Sequence, residues 1–213
     1  MSPKDIAALA SDYAETNWEN MYKEPREHVT SWHAHELCHG CGSCVFLGRR
    51  SKYCPGRLEL EQMTLLDDGT WGPARNIISF TGGDLACQPE FYARSAQEIK
   101  KLGKDLWVLF ETNGYGLTPK TLDLFKESGI DSFWLDIKAY DESVHKRLTG
   151  ASNKWILKLP AQIMDRNFVL EVLALYIPGW AETDQIRMTA ELLDKVDPNI
   201  PFTILAFFPE HEL

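Results

Sequence analysis

The chain contains no apolar run approaching the roughly 18 residues that a membrane-spanning helix needs. Met1-Ser2-Pro3-Lys4-Asp5 does not open a signal peptide, which would set a basic segment before an apolar one. These two features give the expectation of a cytoplasmic protein with no membrane partner. Basic residues are in deficit: 22 Lys and Arg against 31 Asp and Glu leave a net charge of −9. Binding of nucleic acid through bulk charge is thereby excluded. There is no internal repeat and no low-complexity segment. Cysteine is sparse and odd in number, with five in 213 residues, and all but Cys87 lie between positions 38 and 54. Such clustering fits metal ligation in a reducing compartment better than disulfides. At this length, with 44% hydrophobic residues, a sizeable core is expected.

The clustered cysteines read Cys38-His39-Gly40-Cys41-Gly42-Ser43-Cys44, completed by Cys54-Pro55. The spacing is C-x2-C-x2-C, then nine residues, then C-P. Four thiolates can enclose one metal centre. The run resembles the cluster-binding segment of bacterial ferredoxins, with a longer gap before the last cysteine. An iron–sulfur cluster is the first reading and tetrahedral zinc the competing one. Cys87 stands apart and is expected to be a lone buried thiol. His33, His35 and His39 read as surface histidines.

Spacing of apolar residues predicts a helix over 4–22, with Ile6, Leu9, Tyr13 and Trp18 recurring. Residues 28–37 alternate weakly. Asp68-Gly69 between short apolar runs predicts a hairpin. From residue 76 strands and helices alternate. Strands are expected at 76–80, 106–110, 132–137, 168–176 and 201–207, and helices at 89–102, 118–128, 141–149, 151–166 and 183–196. Pro160 must kink or divide the helix over 151–166. Sustained alternation argues for a parallel sheet with helical crossovers. The strands are nearly all apolar, so both faces are expected to be buried. Two regions result: 1–75, an N-terminal helix and Cys-rich insertion, and 76–213, a partial (β/α) barrel.

In parallel α/β folds, ligands bind at the carboxyl ends of the strands. Those ends carry Thr81-Gly82-Gly83-Asp84, Glu111-Thr112-Asn113-Gly114, Asp136 with Lys138, Pro178-Gly179-Trp180, and Pro209-Glu210-His211. Paired glycines let backbone approach a ligand closely, and Asp84 can accept from an ammonium group. Asp136 and Lys138 stand two residues apart in a strand and so point the same way. Such a pair can grip a zwitterion or order itself as an ion pair.

Seven segments, in order and at similar spacing, resemble the radical S-adenosylmethionine superfamily, and within it the glycyl-radical-enzyme activating enzymes. They are Ser79-Phe80-Thr81-Gly82-Gly83-Asp84, Gln88-Pro89-Glu90-Phe91, Glu111-Thr112-Asn113-Gly114-Tyr115, Leu135-Asp136-Ile137-Lys138, His145-Lys146-Arg147-Leu148-Thr149-Gly150 with Asn153, Ile177-Pro178-Gly179-Trp180, and Pro209-Glu210-His211-Glu212-Leu213. The resemblance implies a partial, TIM-barrel-like (β/α) fold and S-adenosyl-L-methionine bound against a [4Fe–4S] cluster. It implies reductive cleavage to a 5′-deoxyadenosyl radical, which takes hydrogen from a glycine of a partner protein or from a small-molecule substrate. It also implies an electron donor such as flavodoxin or ferredoxin. Carried over by position, Gly82, Gly83 and Asp84 hold the methionyl amino group. Asn113, Asp136, Lys138 and His211 contact the cofactor, and Asn153 lines the rim.

Two departures stand out. Asp84 replaces the family's usual Glu, one methylene shorter. The family's C-x3-C-x2-C occurs nowhere in the chain. Cys38, Cys41 and Cys44 are therefore either a shortened core motif or, with Cys54, an auxiliary cluster in an insertion. The second reading fits better, because a fourth ligand would occupy the iron that S-adenosylmethionine must bind. It carries the expectation that the core cysteines lie upstream and that the chain is a piece of a longer protein. The alternative function is a non-catalytic or electron-transfer module, holding an iron–sulfur cluster or zinc on a degenerate barrel.

Overall fold

The structure, a computed structural model, describes residues 1–15, 64–65, 71–72, 77–82, 85–104 and 106–207. The first helix, α1 (Pro3–Glu15), begins where the first-turn residues Ser2 and Asp5 cap each other; the rest of the helix expected over 4–22 lies outside the described residues. Two short strands, β1 (Thr64–Leu65) and β2 (Trp71–Gly72), pair antiparallel, as the expected hairpin requires; Asp68-Gly69 lies outside the described residues.

The main body alternates strand and helix: β3 (Ile77–Phe80), α2 (Pro89–Lys100), β4 (Trp107–Thr112), α3 (Pro119–Ser128), β5 (Ser132–Asp136), α4 (Glu142–Thr149), α5 (Leu159–Met164), β6 (Val169–Tyr176), α6 (Thr183–Val196) and β7 (Phe202–Ala206). All five strands are parallel and lie in the order β3-β4-β5-β6-β7. Each crossover is helical, and sequential neighbours with a single direction of winding form an open (β/α) barrel segment.

Local chemistry sets the helix ends. Thr118 accepts from Thr121 N, and Pro119 follows it in the first turn, where its missing N–H costs nothing. Asp141 caps α4 by accepting from Ser143 N and Val144 N. The helix expected over 151–166 is instead a 3₁₀ turn at Ile156–Lys158 followed by α5, with Pro160 in the first turn of α5. Proline clashes with the turn before it, so the regular helix starts at Leu159, with Pro160 in its first turn, and not at residue 151.

Alternation along the strands separates two faces. On one, Val108, Phe110, Phe133, Leu135, Leu170 and Val172 pack against Ala93, Ala96 and Ile99 of α2, Leu122 and Phe125 of α3 and Ile163 of α5. Phe110 sits at the centre, with ring centroids 4.7 Å from Phe125 and 5.9 Å from Phe133. α1 covers the same layer, burying Ala7 and Ala10. The other face holds a small cluster of Leu109, Trp134 and Leu173, together with the polar residues Ser132 and Glu171.

The strands β4, β5 and β6 are buried on both faces as expected, but β7 is not: Ile204 is 51% and Leu205 37% exposed. Among the described residues β7 has a strand neighbour on one side only, and an edge strand is shielded by fewer packing partners than a central one. At the amino ends of the strands, Asp131 ties the layers together. Its Oδ2 accepts from Lys100 Nζ and from Val108 N, both at 2.6 Å. Burial nevertheless pushes the Asp131 carboxyl above its ordinary pKa, outweighing the Lys100 ammonium.

Candidate functional site

The carboxyl ends of β3, β4 and β5 form a polar cleft. β3 runs out at Thr81 and Gly82, β4 contributes Glu111, Thr112 and Asn113, and β5 ends at Asp136, followed by Lys138. These residues line a cavity of about 270 Å³. A second cavity of about 380 Å³ adjoins it, sharing Asn113 and Lys138 and walled also by Tyr115, His145, Thr149, Gly150, Ala151 and Ile156. The carboxyl-end location is the one that parallel α/β sheets use for ligands.

The turn after β4 is built from its own side chains. Thr112 Oγ1 accepts from Gly114 N at 3.0 Å, and Asn113 Oδ1 accepts from Tyr115 N at 2.8 Å. Gly114 has φ of +80°, and a Cβ there would lie 2.5 Å from Leu159 Cδ1. The loop thus passes so close to α5 that no side chain fits, which holds Asn113 at the junction of the two cavities. Lys138 Nζ donates to Asp136 Oδ2, so the two side chains do point the same way and form the expected ion pair. Both remain about one-third exposed or less, at 34% and 27%, open to a ligand yet screened less than surface charges. An ammonium and a carboxylate so placed complement the carboxylate and ammonium of an amino-acid zwitterion.

The fold thus brings Gly82, Asn113, Asp136 and Lys138 together, as the reading of strand ends anticipated. Gly83, Asp84, His211 and the cysteines Cys38, Cys41, Cys44 and Cys54 lie outside the described residues. Asn153 does not line the rim: it is 1% exposed, and its Nδ2 donates to Ala139 O at 3.0 Å and Tyr140 O at 2.6 Å. It clamps the loop between β5 and α4. Pro178-Gly179-Trp180 also lies off both cavities. Its Trp180 ring stacks 4.1 Å from the Arg147 guanidinium, which donates to Gly179 O. Cys87 is exposed, not buried; it ends the 3₁₀ turn Leu85–Cys87, whose Ala86 points inward in its place. Among the described residues no group of three or more His, Cys, Asp or Glu side chains could hold a metal, and no helix is long and apolar enough to cross a membrane.

Tyr115, His145 and Thr149 stand in the segments that carry the family resemblance, but the sequence assigned none of them a role. His145 is the one buried residue of α4. The available signal is that α4 has only two apolar residues, Val144 and Leu148, both half-buried, so the side chain it buries fully is a histidine.

A five-stranded parallel sheet with polar residues gathered at its carboxyl ends places the chain among the partial-barrel α/β proteins. It belongs to the radical SAM superfamily, whose family model matches residues 39–193. A protein of Methanocaldococcus jannaschii named as a glycyl-radical enzyme activating enzyme is 31% identical over 136 residues, covering 61% of this chain and 49% of that protein. Pyruvate formate-lyase 1-activating enzyme of Escherichia coli K12 is 26% identical over 109 residues, covering 50% of this chain and 43% of the enzyme. The chain spans about half the length of these curated relatives. Among solved structures, a domain of pyruvate-formate lyase-activating enzyme from Bacteroides vulgatus superposes with a TM-score of 0.54 at 22% identity, over 63% of this chain and 81% of that one. This last likeness establishes the shared fold.

Proposed function

We propose that the chain serves a radical S-adenosylmethionine enzyme of activating type, working in a reducing cytoplasm. The observation that carries this is the meeting of Gly82, Asn113 and the Asp136–Lys138 pair in one cleft at three consecutive strand ends. The residues fit the cofactor. The two adjoining cavities, about 270 and 380 Å³, together reach the range of small-molecule sites, roughly 300–1,000 Å³. Their walls carry one ammonium, Lys138, and two carboxylates, Glu111 and Asp136, charges of both signs for a zwitterionic methionyl group.

In this assignment the backbone of Gly82 and Gly83 with the Asp84 carboxylate receives the amino group. Lys138 faces the carboxylate, with Asp136 fixing the ammonium's direction. Asn113 and His211 complete the rim. Cys38, Cys41, Cys44 and Cys54 supply four thiolates, a donor set that suits a [4Fe–4S] cluster. Four protein ligands close such a cluster, so we assign it an auxiliary role, in a region 1–75 preceding the barrel of 76–213. When bound, a reduced cluster with S-adenosylmethionine supplies a 5′-deoxyadenosyl radical able to take hydrogen from a glycine of a partner protein or from a small substrate. The chain's own residues bind, orient and exclude water. A flavodoxin or ferredoxin is the matching class of electron donor.

The test is anaerobic reconstitution with iron and sulfide. Absorption near 400 nm (roughly, for cysteine-ligated clusters) should appear and be lost on replacing Cys41 and Cys44 together. Retention of the absorption in that double variant overturns the cysteine assignment.

A further inference from the structure

We propose that Gln185 is a positioning residue for Lys138: from α6 it holds the β5–α4 loop so that the Lys138 ammonium stays in the cleft. This rests on the reading above, in which Lys138 meets the cofactor carboxylate. Ile137 and Ala139 are buried, at 0% and 2% exposure, and Lys138 between them lines the cleft. The ammonium is therefore aimed by the backbone of this loop as well as by its bond to Asp136. A hydrogen bond from nitrogen to oxygen is made at about 2.7–3.2 Å, so a loop shift of about that range's lower-order spacing, roughly 1 Å, weakens the contact with a ligand.

Hydrogen bonds hold the loop along its length, but they are not equivalent. Ile137 N donates to Leu173 O at 2.9 Å and ties the start of the loop to β6. The Ala139 and Tyr140 carbonyls accept from Asn153. Asn153 stands in the segment that follows α4, so it closes the loop and α4 on one another and moves with them. Asp141 N, at the amino end of α4, donates to Gln185 Oε1 at 2.8 Å. Gln185 lies in the first turn of α6, a separate element, and is 4% exposed. Its Nε2 donates to Asp184 Oδ2 at 2.8 Å, which turns the amide oxygen toward Asp141. Thr189 Oγ1 donates to Gln185 O at 2.9 Å and braces the same turn. Arg147 also links α4 to the β6–α6 segment, donating to Gly179 O at 3.2 Å, but that contact is exposed, where water competes for both partners. Gln185 is thus the buried tie between the end of the Lys138 loop and the next crossover of the sheet.

The test uses the anaerobically reconstituted chain, with S-adenosylmethionine titrated calorimetrically into wild type, Gln185→Met, Lys138→Met and the double variant. Methionine keeps the length of the side chain and removes the acceptor. Affinity should fall by about fivefold in Gln185→Met, the equivalent of about 1 kcal/mol, and by more in Lys138→Met. The double variant should bind no more weakly than Lys138→Met, because a residue that acts through another adds nothing once the other is gone. Equal affinity in wild type and Gln185→Met, or the same fivefold loss repeated in the Lys138→Met background, would overturn the proposal. If Gln185→Met does not fold, Gln185→Asn, which draws the amide oxygen back by one methylene, takes its place in the same cycle. A second readout needs no cofactor: acetylation of Lys138 by acetic anhydride, followed by mass spectrometry, should run at least about threefold faster in the Gln185 variant, because a loosened loop opens to solvent. Equal acetylation rates would also overturn the proposal. Absence of S-adenosylmethionine binding by wild type would instead overturn the cofactor reading, and the acetylation rates would still decide whether Gln185 holds Lys138.

Discussion

Lys138 donates to Asp136 across the carboxyl end of β5, within the cleft that both share with Gly82 and Asn113. The pair presents a fixed carboxylate and a fixed ammonium to any zwitterion bound there. Replacing Lys138 with Met removes the cation and leaves Asp136 without its partner. Charge-assisted hydrogen bonds contribute about 1.5–3 kcal/mol, so equilibrium binding of S-adenosylmethionine should weaken by one to two orders of magnitude. Unchanged affinity would take the pair out of the site.

The two asparagines of the implied family motifs should separate cleanly. Asn153→Ala removes a buried amide that satisfies two backbone carbonyls. Each uncompensated buried acceptor costs about 1–3 kcal/mol, so urea denaturation should show a loss of about 2–4 kcal/mol. Asn113→Ala gives up one bond within a turn and should lose about 1 kcal/mol or less in the same assay. Cofactor affinity should drop instead.

Gly114 and Gly179 test whether the cleft depends on a close passage of backbone. Both have positive φ, +80° and +73°, but only at Gly114 does a Cβ collide, 2.5 Å from Leu159 and 3.0 Å from Leu135. Gly179→Ala carries the backbone cost alone, about 1–2 kcal/mol. Gly114→Ala adds overpacking of about 1–3 kcal/mol and should melt at a distinctly lower temperature. Equal melting temperatures for the two variants would contradict the contact with α5.

Glu142 gives the helix bearing His145 a dependence on acid. The Ser152 hydroxyl and then Lys146 hold its carboxyl down to about 2, from 4.5. A depressed carboxyl stabilises the fold above its unfolded pKa and ceases to do so as pH falls through the folded one. The stability gap between wild type and Glu142→Gln should therefore be full at pH 6 and shrink from about 4.5 down to about 2. Urea midpoints across that range check it. A gap independent of pH would mean that the Ser152 and Lys146 contacts do not hold the carboxylate.

Much of the barrel is written locally. Apolar runs of five to eight residues mark β4, β5 and β6, and α6 coincides with its predicted span because Thr183 to Val196 keeps one apolar stripe. Asp136 and Lys138 were legible because residues two apart on a strand share a face. Other features depend on what the folded chain lays beside a residue. Asn113 and Asn153 look equivalent in the sequence, yet the fold of the β5–α4 loop puts Ala139 and Tyr140 carbonyls against one of them. Cys87 is short and apolar enough to read as core, but the 3₁₀ turn after β3 directs Ala86 inward in its place. The exposure of β7 follows from its position at the edge of the sheet, which composition does not encode. His145 stands in a recognised segment, but its burial was not legible, because it depends on how the chain after α4 brings the Ala151 carbonyl against its Nδ1.

Equilibrium binding of S-adenosylmethionine is the most direct measurement of the central claim, that the Gly82-to-Lys138 cleft is a cofactor site. The reconstituted chain should bind S-adenosylmethionine, and an Asp136→Ala, Lys138→Met double variant with an intact cluster spectrum should bind it at least about tenfold more weakly. Equal affinity in the double variant, or no binding by wild type carrying its full complement of iron and sulfide, would contradict it.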